Sequence, residues 1–272
     1  MIDYRILLKL QDKYALRLKR VYLQNTRQTI RNTNWNLTKD AVWKGDEATY
    51  NSIRWTTWNP MSLLKDAYTA TWNKLDLHKE AVVLDASQFE MPNPSAERWL
   101  WAFAGQDVAE ITDQNRRAIR MILTRGMKNQ QSPIDTALEI QQTLGLTEAQ
   151  AKAVLTYKDG LIKAGLKESM VNSLTKKYYN NLLNYRAETI SITETARAVD
   201  QATMDYYQEA QRRGVLSADE YQLYWLTTPD DRRCEQCLAM NGHTDEITNG
   251  SIQGKTVPLH PRCRCIIQVR KK

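Results

Sequence analysis

Cys234-Glu235-Gln236-Cys237 and His260-Pro261-Arg262-Cys263-Arg264-Cys265 contain all four cysteines of the chain and one of its three histidines. The Cys-x-x-Cys step places two thiols on one turn, where both can reach a single ion. His260 and Cys263 follow at His-x-x-Cys spacing, and in extended backbone Cys265 points to the same face as Cys263. Nitrogen and sulfur donors in this number are typical of a tetrahedral zinc site, so the pattern predicts structural zinc.

The pattern offers more donors than a tetrahedral ion can use. The five candidate ligands are Cys234, Cys237, His260, Cys263 and Cys265. Four of them are expected to bind, and the sequence does not decide which of the last three is left out. Four protein ligands leave no open position for water, so such a site would stabilise the fold rather than catalyse. Three other interpretations stay open: a redox pair at Cys234 and Cys237, a disulfide framework, and plain packing of the cysteines.

The residues on either side of this pattern predict a small sheet. Residues 221–227 and 265–269 are rich in the aromatic and β-branched side chains that strands favour. A sheet this short is not held together by its own burial, and it needs a metal or a packed helix.

Upstream, the sequence is dominated by helical patterns. Apolar residues recur at three- and four-residue steps from Tyr4 to Tyr22, and after Asn25 we expect turns and short helices. Ser132 and Thr147 each open a segment typical of a helix N-terminus. Two longer helices are predicted among short ones, and the last of them covers about residues 169–213 and ends at Gly214. Other helices are expected to end at Gly126, Gly145, Gly160 and Gly165. The predicted fold class is therefore α+β and predominantly α-helical, with a zinc-stabilised β unit at the C-terminus.

The proline-rich residues 91–95 form the clearest boundary, because Pro94 suits the first position of a new helix. We predict three domains. Residues 1–95 form a variable N-terminal helical segment for attachment, residues 96–186 a helical middle region, and residues 187–272 a C-terminal domain with the Cys/His site.

Composition narrows the function classes. Apolar runs are too short for a membrane span, and no signal peptide is visible, so we expect a cytoplasmic origin in which thiols stay reduced. The net charge of +7 is compatible with work near nucleic acid. The most basic segment is the C-terminal tail, a candidate nucleic-acid contact or simply a solvated end; it contains Arg262, Arg264, Arg270, Lys271 and Lys272.

Five of the eight tryptophans lie in the first third of the chain. They are Trp35, Trp43, Trp55, Trp58 and Trp72. Tryptophan combines a large apolar area with one polar N–H, which suits cores and protein interfaces alike. A partner surface in this region is therefore a hypothesis that rests on composition.

The order of residues 225–237 (Trp-Leu-Thr-Thr-Pro-Asp-Asp-Arg-Arg-Cys-Glu-Gln-Cys), of Asn241-Gly242 and of residues 258–265 resembles the phage head morphogenesis family typified by the F protein of phage Mu. Residues 186–190 and 193–198 resemble that family's R-A-x-x-I-A-R-T-E-T-x-x-A helix, and residues 145–154 are also similar. The resemblance covers about residues 97–268. Ile192 stands where the family usually has an arginine, so no role of that arginine is carried over.

This resemblance implies a structural minor head (capsid) protein of a tailed bacteriophage. Such a protein is present in few copies, is associated with the portal, and acts in head morphogenesis and in DNA packaging or ejection. The implied partners are the portal protein, the major capsid or scaffolding protein, and non-specific double-stranded DNA, with no membrane and no small-molecule substrate. Its expected location is the virion head near the portal, and the host cytoplasm during assembly.

Two alternative functions fit parts of the sequence. Cys-x-x-Cys with a later histidine also occurs in zinc-supported HNH-like nucleases. However, Asp230 and Asp231 fit a helix cap better than a magnesium site, and no nucleotide fingerprint or Ser/His/Asp arrangement is present. We therefore predict no catalytic residues and no enzyme activity. The other alternative, a zinc-stabilised DNA-binding protein, requires a one-sidedly basic recognition helix, which we do not find.

Overall fold

A computed structural model describes residues 4–44, 46–56, 60–77, 94–229 and 233–272. Within these residues the fold is α+β and mostly helical, as predicted. The helices are α1 (Tyr4–Asn32), α2 (Trp35–Val42), α3 (Asp46–Ser52), α4 (Met61–Leu77), α5 (Pro94–Lys128), α6 (Pro133–Thr143), α7 (Glu148–Lys163), α8 (Glu168–Arg212) and α9 (Glu235–Met240). The strands are β1 (Tyr221–Leu226), β2 (Thr244–Asp245) and β3 (Ile266–Lys271).

The chain divides into two compact units. The first unit comprises residues 1–19, 60–104 and 188–272, and the second comprises residues 20–59 and 105–187. Each unit thus combines segments from different predicted domains. The predicted division into three domains assigns roles to segments of the chain, which a division into compact units does not test, so it stays a prediction.

Local sequence signals set most helix ends. The Thr147 hydroxyl accepts from the Gln150 backbone N–H and the Gln150 side chain accepts from the Thr147 N–H, which completes a capping box. Helix α8 ends at Arg212, and Gly214 follows with φ +72°. By contrast, α1 continues to Asn32, past the predicted loss of period, because Thr26, Thr29 and Thr33 are buried.

Two glycine predictions are wrong. Gly126 lies inside α5 and Gly160 inside α7, whereas Gly145 and Gly165 do adopt positive φ after their helices. The physical reason at Gly126 is close packing, since a Cβ there would lie 2.7 Å from the Thr136 hydroxyl oxygen. A glycine in a helix can serve close approach as well as termination.

The core of the first unit forms between α8 and an antiparallel sheet of strand order β2-β1-β3. Trp225 pairs with Ile267 and Leu223 with Val269, so that alternate residues of β1 and β3 face the same side. All four side chains are buried. On α8 the buried residues recur at helical spacing, and many are small, which lets the helix approach the sheet; they include Ala196, Val199, Ala202, Tyr206 and Ala210.

A buried carboxylate in this core provides a test of pH dependence. The Tyr68 hydroxyl donates to Asp205 Oδ2 at 2.7 Å, and Gln201 Nε2 donates to Oδ1 at 2.8 Å. Burial nevertheless raises the pKa of Asp205, and it outweighs both hydrogen bonds, which lower it. Folding therefore favours the neutral carboxyl. The associated stability is present below the unfolded pKa of about 4 and is lost as the pH rises through the folded value.

In the wild type the free energy of unfolding should fall as the pH rises above about 4. We expect a smaller fall in Asp205→Asn, because the amide cannot ionise. Urea unfolding of wild type and variant between pH 4 and pH 8 measures the difference directly. The exposed Asp66→Asn on α4 is the matched control and should follow the wild-type profile. Parallel profiles for wild type and Asp205→Asn would contradict this account of the core.

The second unit has its own apolar core, formed mainly by isoleucines and leucines of α5, α6 and α7. Beside it lies Arg186, with 4% of its surface exposed. Its guanidinium donates to the Gly145 carbonyl and to Gln114 Oε1, both at 2.9 Å, and to Asn115 Oδ1 at 3.4 Å. Tyr22 donates its hydroxyl to the same Gly145 carbonyl at 2.8 Å. One arginine therefore holds α1, α5, α8 and the turn after α6 together.

The tryptophans of the first third do not form one surface. Trp72 is buried in the core of the first unit, at 5.2 Å from the Tyr206 ring. In the second unit, Trp35 and Trp55 are half-buried and donate their indole N–H groups to backbone carbonyls. Trp43 is 78% exposed. Trp58 lies outside the described residues, so Trp43 alone among the other four remains suited to a partner surface.

Candidate metal centre

The first half of the Cys/His site is positioned by β1 and α9. Cys234 is the N-cap of α9, and its Sγ accepts from the Cys237 backbone N–H at 3.4 Å. Directly after β1, the Thr227 hydroxyl donates to the Cys237 carbonyl at 2.7 Å, and the Thr227 N–H donates to Asn241 Oδ1 at 2.9 Å. These contacts attach both ends of α9 to the sheet.

The second half is a loop that α8 holds in place. Asp200 of α8 accepts from the Val257 N–H at 3.3 Å, and Thr193 Oγ1 accepts from the Arg262 N–H at 3.0 Å. Burial raises the pKa of Asp200 to about 8. The Thr228 hydroxyl donates to the Arg264 carbonyl, which joins this loop to the end of β1.

The fold brings all five predicted ligands together in two overlapping groups. His260 Nε2 lies 3.1 Å from Cys234 Sγ and 3.0 Å from Cys237 Sγ. Cys237 Sγ also lies 3.8 Å from Cys263 Sγ, and the sulfurs of Cys237, Cys263 and Cys265 lie within 4.8 Å of one another. Cys237 thus belongs to both groups. All four cysteines are free thiols, and only Cys234 is not fully buried.

The ring of His260 is oriented for ligation. Its Nδ1 lies 2.8 Å from the Pro261 carbonyl oxygen, which can only accept a hydrogen bond. Nδ1 therefore carries the proton, and the lone pair of Nε2 points at the sulfurs. Histidine ligands of metals are commonly held by such a bond from the second ring nitrogen.

The cysteines differ in acidity in a way that separates their roles. The Cys265 thiol, by donating to Cys263, holds the pKa of Cys263 at about 5 despite burial. The same hydrogen bond raises the pKa of Cys265 well above its usual range. Burial raises the pKa of Cys237 to about 12, whereas the Cys237 N–H lowers the pKa of Cys234. A metal ion, which needs thiolates, would displace the proton that Cys237 holds.

One donor pair has the spacing of a tetrahedral metal site. Two sulfurs bound at about 2.3 Å with tetrahedral angles lie about 3.8 Å apart. This equals the separation of 3.8 Å between Cys237 and Cys263. The nitrogen-to-sulfur distances at His260 are about half an ångström shorter than a bound ion requires, so His260 would move outward slightly on binding. This buried Cys/His group could hold a metal ion.

Three of the five basic tail residues have partners within the first unit. The pairs are Arg262 with Glu188 (2.7 Å), Arg264 with Asp12 (3.5 Å) and the Arg270 guanidinium over the Tyr224 ring (3.4 Å to its centroid). Lys271 and Lys272 are exposed. Glu188 also accepts from Lys19 at 3.0 Å, which lowers the pKa of Glu188. Nucleic-acid contact by this tail stays a prediction.

Of the two histidines outside the Cys/His pattern, the structure describes His243. His243 is exposed, and its Nδ1 lies 3.2 Å from the Met240 carbonyl oxygen. The described residues place it in neither donor group. His78 and the Asp230-Asp231 cap lie outside the described residues.

Residues 117–268, which include α8, β1, β2, the first half of β3 and every donor of the Cys/His site, match the family described as Phage Mu protein F like protein. The chain belongs to this family. Family membership indicates a phage head morphogenesis protein that assembles with other virion proteins. Comparison with curated proteins and with solved structures returned no significant match. None of the described helices has both the length and the hydrophobicity that a bilayer crossing requires.

Sequence reasoning about this Phage Mu F-like chain missed the residues that support the donors. Thr227 is recognisable as the residue that continues the alternation of β1 and so faces inward beside the cysteines. Asp200 and Glu188 carry no such signal, because their contacts with the 257–262 loop depend on a separation of more than fifty residues.

Proposed function

We propose that this chain is a structural, non-enzymatic head protein that attaches to the portal and acts in DNA packaging or ejection. The match of residues 117–268 to the phage Mu F-like family carries this proposal. Phage head proteins of this kind work by binding other virion proteins, and a stable scaffold with a closed Cys/His site suits such a role. The three predicted domains belong to the same proposal: residues 1–95 attach to the portal or head, residues 96–186 form a helical middle region, and residues 187–272 form the C-terminal head-morphogenesis domain with the Cys/His site.

We infer further that the Cys/His site binds structural zinc through Cys234, Cys237, His260 and Cys263. The orientation of His260 and the spacing of Cys237 and Cys263 support these ligands. Cys265 is the remaining thiol, since its sulfur lies 3.7 Å from the Thr227 hydroxyl oxygen, whereas Cys263 has the tetrahedral spacing to Cys237. Zinc would supply a cross-link between α9 and the 257–265 loop. A hydrogen bond from the Cys265 thiol to a ligand sulfur would reduce the negative charge on that sulfur.

A nuclease is the less favoured alternative. A catalytic histidine needs a ring nitrogen that is free to activate water. In His260 one nitrogen faces two sulfurs and the other faces the Pro261 carbonyl. A DNA-binding regulator is also disfavoured, because Arg262 and Arg264 contact carboxylates of the chain itself. Any DNA contact would then be weak, non-specific and dependent on the exposed Lys271 and Lys272.

The composition of purified phage heads tests this function. We expect quantitative mass spectrometry to find the chain in few copies per particle, at a constant ratio to the portal protein. Deletion of its gene should leave particles that are misassembled or that package or eject DNA poorly. Complete absence from purified heads and procapsids, with normal infectivity after deletion, would contradict the proposal.

A further inference from the structure

The second unit carries an apolar groove between α2, the end of α5 and the start of α6. The groove encloses about 660 Å³. We call it the Trp43 groove, and its apolar lining residues are Val42, Trp43, Leu123, Met127 and Pro133. Within the described part of the chain, Met127 at 81% and Trp43 at 78% are the most exposed large hydrophobic side chains.

Further exposed apolar residues occur on the same helices. They are Leu37 of α2 and Ile134 and Leu138 of α6. Isolated exposed hydrophobic residues are ordinary on protein surfaces, but a concentration on neighbouring helices marks an interaction site. Tryptophan contributes strongly to binding when a partner buries it, and methionine adapts to the shape of a partner. Trp43 and Met127 therefore suit a protein partner.

A basic groove adjoins the Trp43 groove, because Arg120 and Thr124 line both. Its charged lining consists of five cations and one carboxylate: Arg117, Arg120, Arg125, Lys128, Lys152 and Glu148. Arg125 is committed to Asp159, with both carboxylate oxygens at 2.9 Å, and Arg117 contacts Asp113 at 3.2 Å. Lys128 and Lys152 are exposed and have no ion pair with the described residues. The net charge beside the apolar groove is thus positive.

We infer that these two grooves bind an acidic amphipathic helix of another head protein. The inference deepens the proposed function and rests on it. A groove between helices accepts the apolar face of a partner helix, and carboxylates along the flank of that helix would meet Lys128 and Lys152. Duplex DNA would present mainly phosphates to these grooves and leave Trp43 and Met127 without an apolar contact. A second copy of this chain, related by a two-fold axis, would bring one basic groove against another.

Photo-crosslinking during head assembly tests the occupant. Benzoylphenylalanine replaces Trp43 or Met127 in the full chain, and Met170, which is 51% exposed and lines neither groove, serves as the control position. We expect crosslinks from positions 43 and 127, but not from 170, to one acidic amphipathic helical segment of a head protein. Heads that contain the chain but show crosslinks to DNA, to a second copy, or equally from position 170 would overturn the inference and leave the proposed function intact. Absence of the chain from heads would overturn both.

Once crosslinking has identified the partner, measurements of its affinity for variants of this chain separate the apolar contribution to binding from the charged one. Trp43→Ala should weaken binding on the order of tenfold or more, as for a residue at the centre of an interface. The double substitution Lys128→Glu and Lys152→Glu should weaken binding several-fold and reduce its dependence on salt. Met170→Ala should bind as the wild type does, and equal melting temperatures would show that all variants fold. Unchanged affinity of both groove variants would overturn the inference.

Discussion

Substitution of Cys237 by serine should abolish metal binding and destabilise the C-terminal part of the first unit. Cys237 is the donor shared by both groups, at 3.0 Å from His260 Nε2 and 3.8 Å from Cys263 Sγ. Structural zinc contributes about 10–16 kcal/mol to the folding of isolated zinc-finger peptides. The contribution here should be smaller, because the packing of α8 against the sheet also holds β1 and β3. A loss of several kcal/mol would lower the Tm by about 10 °C or more.

Metal content by elemental analysis and thermal melting with and without a chelator measure this effect. We expect about one zinc per wild-type chain and none in Cys237→Ser, whose melting should match that of the chelated wild type. Cys265→Ser is the matched control, since it removes an equally buried thiol that we place outside the ligand set. It should keep its zinc and lose about 1–2 kcal/mol of stability, as expected for the loss of one buried hydrogen bond.

Two outcomes would contradict this assignment. Loss of zinc from both cysteine variants would make Cys265 a ligand, and full zinc content in Cys237→Ser would remove the shared donor from the site. Wild-type protein that contains no zinc when purified under reducing conditions would refute the metal proposal as a whole. Disulfide formation among the four thiols would then be the interpretation to test by mass spectrometry of oxidised particles.

The sequence predicted those features that depend on neighbouring residues. The hydroxyls of Ser132 and Thr147 cap their helices. These caps were predictable because a cap involves only three or four consecutive positions. Gly214 ends α8 for a similarly local reason. The convergence of the five donors was also predictable, since their spacing is typical of one centre and four of them are the only cysteines in the chain.

Features that depend on tertiary contacts were not predictable. The residues next to Trp43, Trp55 and Trp72 do not indicate how deeply each is buried, yet the first is exposed, the second is half-buried and the third is in a core. The proposed difference between Cys263 and Cys265 rests on their contacts with Cys237 and Thr227, which lie on distant segments of the chain. Gly126 was mistaken for a helix end because its close contact with Thr136 involves another helix.

The second large effect is expected at Arg186, whose position begins the Arg-Ala-x-x-Ile segment that resembles the phage family. Burial lowers the pKa of its guanidinium, and its hydrogen bonds all go to neutral oxygens: the Gly145 carbonyl, Gln114 and Asn115. Hydrogen bonds from a charged donor contribute about 1.5–3 kcal/mol each, so the three bonds together offset the cost of burying the charge.

Arg186→Ala should therefore destabilise the second unit by about 3 kcal/mol or more, measured by urea unfolding. Arg186→Lys should not rescue it, because an ammonium retains the buried charge but cannot reach three acceptors in one plane. Arg117→Ala is the matched control: its salt bridge with Asp113 is half-exposed, and its loss should change the free energy of unfolding by less than about 0.5 kcal/mol. If Arg186→Lys proved as stable as the wild type, the positive charge alone would explain the position. If Arg186→Ala had the same free energy of unfolding as Arg117→Ala, Arg186 would not hold the helices together. A role in partner binding would then be the better explanation for its place in the family segment.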